Sequence, residues 1–253
     1  MLRVATYNVR SLRDDRDALI RVIRAMRPDV LCLQEAPRFS SWRRKRRLLA
    51  RDAGMLVAAG NRAGGVAVLT GPGVRILHAR GHMLRWIPGL EWRAMAVAVV
   101  DKDGERIAVA SAHLDLVAAA RLRHAAQIVR ILDGVAAASG APAVLAGDVN
   151  ETPGGPAWRL LDDRYPDCMP RSGRYEPHPA AGGGYLAADG GSPAVGPSAG
   201  DHTFPAWRPA ARLDAIFADA GLTVLGYGVP AAPAEDLRRA TDHLPVFADI
   251  ARM

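Results

Sequence analysis

Apolar positions recur along this chain with a period of two in some stretches and of between three and four in others. Leu2-Arg3-Val4-Ala5-Thr6-Tyr7-Asn8-Val9 is largely apolar and β-branched and runs into a polar Asn, which predicts a strand. Asp14 or Asp15 is placed to cap a helix reaching about Met26, with Leu19, Ile20 and Ile23 on one face, and Pro28-Asp29 stop it. Val30-Leu31-Cys32-Leu33 is continuously apolar, as expected of a strand covered on both faces. A second helix is predicted from Ser41 to Ala53, closed by Gly54.

Short strands follow at Met55–Ala59, Val66–Thr70 and Val74–His78, and longer ones at Arg93–Val100 and Arg106–Leu114. Between the longer pair, Asp101-Lys102-Asp103-Gly104 signals a hairpin turn. The Ala-rich stretch Val117–Ala138 reads as a helix with Leu122, Ile128, Val129 and Leu132 turned inward. Val144-Leu145-Ala146 leads into Gly147-Asp148-Val149-Asn150, and a short helix after Thr152-Pro153 carries Trp158, Leu160 and Leu161. From Tyr165 to Gly200 the chain is dense in Gly, Pro, Ala and Ser without a period, which predicts a long irregular loop inside one domain spanning residues 1–253. Strands at Arg212–Phe217, Leu222–Val229 and Val246–Ile250 complete the set. Strands interleaved with helices, with at least one hairpin, imply an α/β chain of mixed sheets covered by helices.

Composition narrows this picture in two respects. No apolar run approaches the roughly 18–20 residues that cross a bilayer. Two cysteines, Cys32 and Cys168, make no disulfide framework, and a motif-bearing strand starting by Val4 leaves no room for a leader, so a cytoplasmic location is expected. The net charge of +7 is concentrated, because Arg43-Arg44-Lys45-Arg46-Arg47 holds five of the 33 basic residues. Without them 28 basic residues face 26 acidic ones. Such a patch suits an anionic partner, DNA, RNA or an acidic membrane surface, and also fits a solvated helix face.

The chemistry lies where the strands end. Asn8, Glu35, His113, Asp148, Asn150 and Asp242-His243 each follow or border an apolar run, and Asp214 lies in Arg212-Leu213-Asp214-Ala215-Ile216-Phe217. Strand ends of one sheet share a rim, so residues remote in sequence can meet there. Singly, each has an ordinary role: Asn and Asp make turns, and an isolated His is commonly structural. His78, His82, His124, His178 and His202 show no metal-ligand spacing, and Gly64-Gly65 reads as backbone geometry. Trp42 fits either base stacking or core packing.

Together the motifs Thr6-Tyr7-Asn8-Val9, Leu33-Gln34-Glu35, Ser111-Ala112-His113-Leu114-Asp115, Gly147-Asp148-Val149-Asn150, Thr203-Phe204-Pro205, Arg212-Leu213-Asp214 and Thr241-Asp242-His243 resemble, in order, those of the endonuclease/exonuclease/phosphatase superfamily. The resemblance implies a four-layer sandwich of two mixed, mainly antiparallel sheets flanked by helices. It also implies hydrolysis of a phosphoester with Mg2+ or Mn2+. A phosphodiester anion repels hydroxide, so such a site neutralises charge and orients water. By this resemblance Glu35 is the principal metal ligand, with Asn8 and Asp242 beside it, a sparse oxygen set of the kind Mg2+ accepts. Asp148 would orient or deprotonate the attacking water and Asn150 would hold a phosphate oxygen. His243, paired with Asp214, would act as general base or as a donor to phosphate, with His113 on the other side. Glu91 is a candidate partner of His113, and Arg38 a candidate substrate contact. Nucleic acid is the leading substrate class through Arg43–Arg47, with a small or lipid-borne phosphoester as the alternative. A non-catalytic binding module would lack some of these positions, and none is missing.

Overall fold

A computed structural model describes residues 1–169 and 202–252. Among the described residues eleven strands form two sheets. The first comprises β1 (Leu2–Asn8), β2 (Val30–Gln34), β3 (Leu56–Gly60), β4 (Ala67–Thr70), β10 (Leu222–Gly228) and β11 (Val246–Arg252), in the order β10-β11-β1-β2-β4-β3. The second comprises β5 (Arg75–Met83), β6 (Ala94–Lys102), β7 (Glu105–His113), β8 (Ala143–Asp148) and β9 (Asp214–Ala218), in chain order. Only β1–β2 and β7–β8 pair in parallel; the other ladders are antiparallel.

Alternation along the strands divides the interior into three apolar layers. On β6, Ala94, Ala96, Ala98 and Val100 face the other sheet with Val4, Cys32, Val68, Val144 and Ile250. Met95, Val97 and Val99 of the same strand face α3 (Ala118–Ser139) and α4 (Pro156–Arg164), with Ile128, Leu132 and Trp158. The outer face of the first sheet packs Ala5, Tyr7, Leu31 and Leu33 against α1 (Arg16–Met26), α2 (Trp42–Asp52) and α5 (Ala234–Ala240). The product is a helix–sheet–sheet–helix sandwich, the architecture implied by the motifs. Of the four residues expected to face inward on α3, Leu122 instead is 38% exposed.

Several local features follow from identifiable groups. The Asp15 carboxylate caps α1 by accepting from Asp17 N (3.0 Å) and Ala18 N (2.9 Å). α5, which no sequence period predicts, is seven residues long and is tied to α1 by Arg21–Asp236 and Arg239–Asp15 contacts at 2.6 and 2.8 Å. Gly64 has φ +69, and a Cβ there would press on the backbone of Ala94, so the Gly pair before β4 is backbone geometry. The irregular segment expected from Tyr165 lies outside the described residues beyond Met169. Its first residues are packed: Tyr165 and Cys168 are buried, and Asp167 bridges to Phe217. Among the described residues no helix is long and apolar enough to cross a membrane.

Candidate active site

Strand register assembles the site. Asn8 pairs with Gln34 across β1–β2, placing Asn8 beside the residue that follows, Glu35. In the second sheet His113, Asp148 and Asp214 stand side by side on β7, β8 and β9. Gly147, one position before, permits this close approach, because a Cβ there would overlap the Ala112 carbonyl. The two sheets touch at this end: Asn8 Nδ2 donates to Asp148 Oδ2 at 3.0 Å and lies 3.3 Å from Glu35 Oε1.

His243, in the turn between α5 and β11, completes the cluster. Its Nδ1 is 2.8 Å from Asp214 Oδ2, its Nε2 is 3.8 Å from Asp148 Oδ2, and its ring lies 4.8 Å from that of Phe204. Burial alone would lower the His243 pKa, but the charge and hydrogen bond of Asp214, reinforced by Asp148 and Asp242, raise it to about 9. Asp214 is fully buried, and among the described residues its Oδ1 has no hydrogen-bond partner. Thr203 Oγ1 accepts from the backbone N of Leu213 and Asp214 at 3.1 and 3.2 Å, which holds Asp214 in position.

His113 behaves oppositely. Its burial outweighs the attraction of Asp148, and Arg93, His243 and Arg38 add to the effect, so its pKa falls to about 4. Neutral imidazole then accepts at Nε2 from the Asn150 amide at 3.0 Å, with Asp148 Oδ2 at 3.5 Å. The same Asn150 amide donates to Leu114 O at 3.0 Å, so both of its hydrogens are engaged within the protein.

Two carboxylates open onto the cleft. Glu35 is half-buried and left-handed (φ +47), and Asp242 Oδ2 lies 3.1 Å from Arg10 Nε, so a cationic group stands against it. With Asn8 these are hard oxygen donors at one mouth, which fits Mg2+ or Mn2+. Asp148, Asp214 and His243 also place three donor atoms within 4.8 Å of one another. There, however, His243 Nδ1 is committed to Asp214, so the trio suits an orienting chain better than a cage.

Two softer expectations change. Glu91 is exposed and pairs with Arg38 at 3.0 Å, so the group holding the His113 ring is Asn150 rather than Glu91. Arg38 is thereby drawn across the rim towards the loop preceding β6. In the basic run, Arg46 is buried and donates to the carbonyls of Pro37 (2.9 Å), Asn61 (2.9 Å), Val66 (3.2 Å) and Ala36 (3.4 Å). It braces the loop after Glu35, leaving Arg43, Arg44, Lys45 and Arg47 as the exposed cations of the run. Trp42 is half-exposed, with the Arg43 and Arg46 guanidinium groups 4.4 and 4.9 Å from its ring.

Other supports carry no sequence signal strong enough to single them out. Gln34 lies within the motif Leu33-Gln34-Glu35; its Nε2 donates to Ser111 Oγ at 3.1 Å, and its Oε1 accepts from Thr6 Oγ1 at 3.0 Å. Ser111 in turn donates to Leu33 O at 2.9 Å, so a buried polar bridge pins one sheet to the other beneath the site. Arg121 reaches Glu151 at 2.9 Å and the carbonyls of Asp115 and Leu116 at 2.9 and 3.0 Å. It latches the loop after His113 to the loop after Asn150. Glu151 Oε2 caps α4 through Ala157 N and Trp158 N at 2.7 and 2.9 Å.

The sequence profile of the Endonuclease/Exonuclease/phosphatase family matches residues 5–243. No curated protein sequence resembles the chain significantly. Among solved structures, an endonuclease/exonuclease/phosphatase from Bacteroides vulgatus superposes with a TM-score of 0.73 at 19% identity, covering 100% of this chain and 99% of that one. Mannosyl-6-phosphatase Bt3783 of Bacteroides thetaiotaomicron gives 0.70 at 17% identity, covering 99% and 100%. The catalytic domain of human Nocturnin, solved with a bound sulfate anion, gives 0.70 at 16% identity, covering 100% and 93%. At such identities these likenesses establish the fold.

Proposed function

The chain belongs to the endonuclease/exonuclease/phosphatase family, and on that premise we propose that it hydrolyses a phosphodiester of nucleic acid with a divalent cation. Members of the family are phosphoester hydrolases and are generally dependent on a divalent metal. The observation that carries the reading is the buried Asp214–His243 pair beside Asp148, with Asn8 joining Asp148 to Glu35 and Asp242 next to His243.

The residues divide the work by their charge states. With its pKa raised to about 9, His243 is protonated at neutral pH, keeps one proton at Nδ1 against Asp214, and offers Nε2–H to a phosphate oxygen. That leaves Asp148, buried and held by Asn8 and the Asn150 backbone N (2.9 Å), as the group that orients the water and takes its proton. Neutral His113 presents a directed polar group on the other side, steadied by Asn150. Glu35, Asn8 and Asp242 would hold Mg2+ or Mn2+, whose charge offsets that of the phosphate and polarises it. The exposed cations of α2, extending from the Glu35 side of the rim, support a polyanionic substrate.

Purified protein with Mg2+ or Mn2+, assayed against single-stranded DNA, plasmid DNA, RNA and a panel of nucleotide, sugar, inositol and lipid phosphoesters, tests the reading. Asp148→Asn and His243→Ala are each expected to lose several orders of magnitude in rate with the fold intact. Turnover confined to small or lipid phosphoesters would discard the nucleic-acid substrate. Undiminished turnover in both variants would discard the site.

A further inference from the structure

Every exposed phenylalanine and tryptophan among the described residues lies in a loop bordering the cleft. Phe39 (63% exposed) follows Glu35, and Trp207 (59%) follows Ala206, whose N donates to Asp242 O at 2.7 Å. Trp86 (46%) and Trp92 (52%) lie in the loop between β5 and β6. Trp92 precedes Arg93, which pairs with Asp115, two residues beyond His113, at 3.4 Å. Leu84 N closes the base of the loop on Arg93 O at 3.0 Å.

The two tryptophan rings stack on each other, with centroids 5.6 Å apart and planes 24° from parallel, and each residue stays about half exposed. Paired exposed rings with polar groups around them mark a binding surface, and their faces stack well on other planar groups. The cationic side is adjacent: Arg38 pairs with Glu91, next to Trp92, and lies 5.3 Å from the Phe39 ring. Exposed Arg43, Arg44, Lys45 and Arg47 continue from there along α2. The tip aliphatics Ile87 and Leu90 are only half-exposed, their backbone turned by a Leu90 N–Ile87 O bond of 3.1 Å. The loop therefore offers ring faces rather than an aliphatic wedge, which suits a base better than a bilayer.

We propose that this rim is a stacking subsite for unpaired bases, with Trp86 and Trp92 as the platform and Arg38 and α2 following the phosphates, so that the substrate class is single-stranded nucleic acid. The proposal rests on the phosphodiesterase reading of the adjoining site. In a duplex the base faces are already covered by their neighbours and cannot reach the platform without unstacking.

The test is a binding measurement in EDTA, so that no strand is cut. Intrinsic tryptophan fluorescence and anisotropy of a labelled strand are followed for a short single-stranded oligonucleotide, its duplex, and an abasic strand of equal length. The base-bearing single strand is expected to bind more tightly than either. Trp86→Ala and Trp92→Ala should each weaken it roughly 5- to 150-fold and shrink its advantage over the abasic strand, with Trp92→Phe retaining most of it. Absence of oligonucleotide binding, a preference for duplex, or an advantage over the abasic strand that both Ala variants preserve would overturn the proposal. So would binding to phosphatidylserine vesicles that the Ala variants lose while strand binding persists. Because affinity is read without turnover, this failure is separable from that of the reaction, which the Asp148→Asn and His243→Ala rates decide.

Discussion

Two histidines approach the same carboxylate in this site, and their pKa values move apart. His113 and His243 lie 3.5 and 3.8 Å from Asp148 Oδ2, yet one is held at about 4 and the other raised to about 9. Arg93 and Arg38 add to the burial of His113, whereas His243 bonds Asp214. Replacing it by Asn removes the opposing charge while burial remains. NMR titration of Asp214→Asn should therefore find His243 well below its wild-type value. Stability follows with a definite sign. An unfolded histidine titrates near pH 6.5, so the His243 contribution is complete below that pH and is lost as pH rises through about 9. His113 acts at the other end, since the unfolded chain takes its proton first and folding is opposed increasingly from about pH 6.5 down to about 4. Melts of metal-free protein across this range should show His243→Gln flattening the alkaline limb and His113→Gln easing the acid one. An alkaline limb identical in His243→Gln would contradict the Asp214–His243 pairing.

At the scale of elements, α2 and the loops beyond β7 and β8 divide positioning from exposure. Arg46 supplies a charged donor to four backbone carbonyls on two loops. Arg46→Ala should thus cost roughly 2–4 kcal/mol in denaturant unfolding. Replacing Arg43, Arg44, Lys45 or Arg47 should each stay within about 0.5 kcal/mol, while lowering affinity for DNA and its salt dependence. The opposite ranking would return Arg46 to the surface. The Arg121–Glu151 latch has a different signature, because it sets the spacing of His113 and Asn150 without entering the cleft. Arg121→Ala is expected to lower kcat by roughly tenfold to a hundredfold with KM little altered, and Arg121→Lys to restore part of it. A loss confined to KM would show that the latch serves substrate binding instead.

For the molecule as a whole, the site exists only because two sheets meet. The Thr6–Gln34–Ser111 bridge crosses between them, and Asn8 joins Asp148. Carboxylates from both sheets are thereby gathered at one mouth, and a divalent cation should bind the folded chain and stabilise it. Saturating Mg2+ or Mn2+ at a hundred times Kd should raise stability by about 2.7 kcal/mol, seen as a higher Tm that EDTA reverses. Glu35→Gln combined with Asp242→Asn should abolish that increment. A Tm indifferent to metal in the wild type would argue against these oxygens as its ligands.

The alternation of apolar residues by itself determined the layers, because a period of two or of 3.6 states which face of each element must leave water. Polar residues at the ends of those runs, in a set order, likewise determined the family and the membership of the central cluster from Asn8 to His243. Tertiary structure alone decided who touches whom. Glu91 went to Arg38, Arg46 turned inward, Leu122 turned outward, and seven-residue α5 formed against α1. These outcomes depend on distances between residues remote in sequence, as in the 140 positions separating Asn8 from Asp148. A charge or a short helix finds its partner only after folding has brought that partner within reach, and no local pattern encodes the meeting.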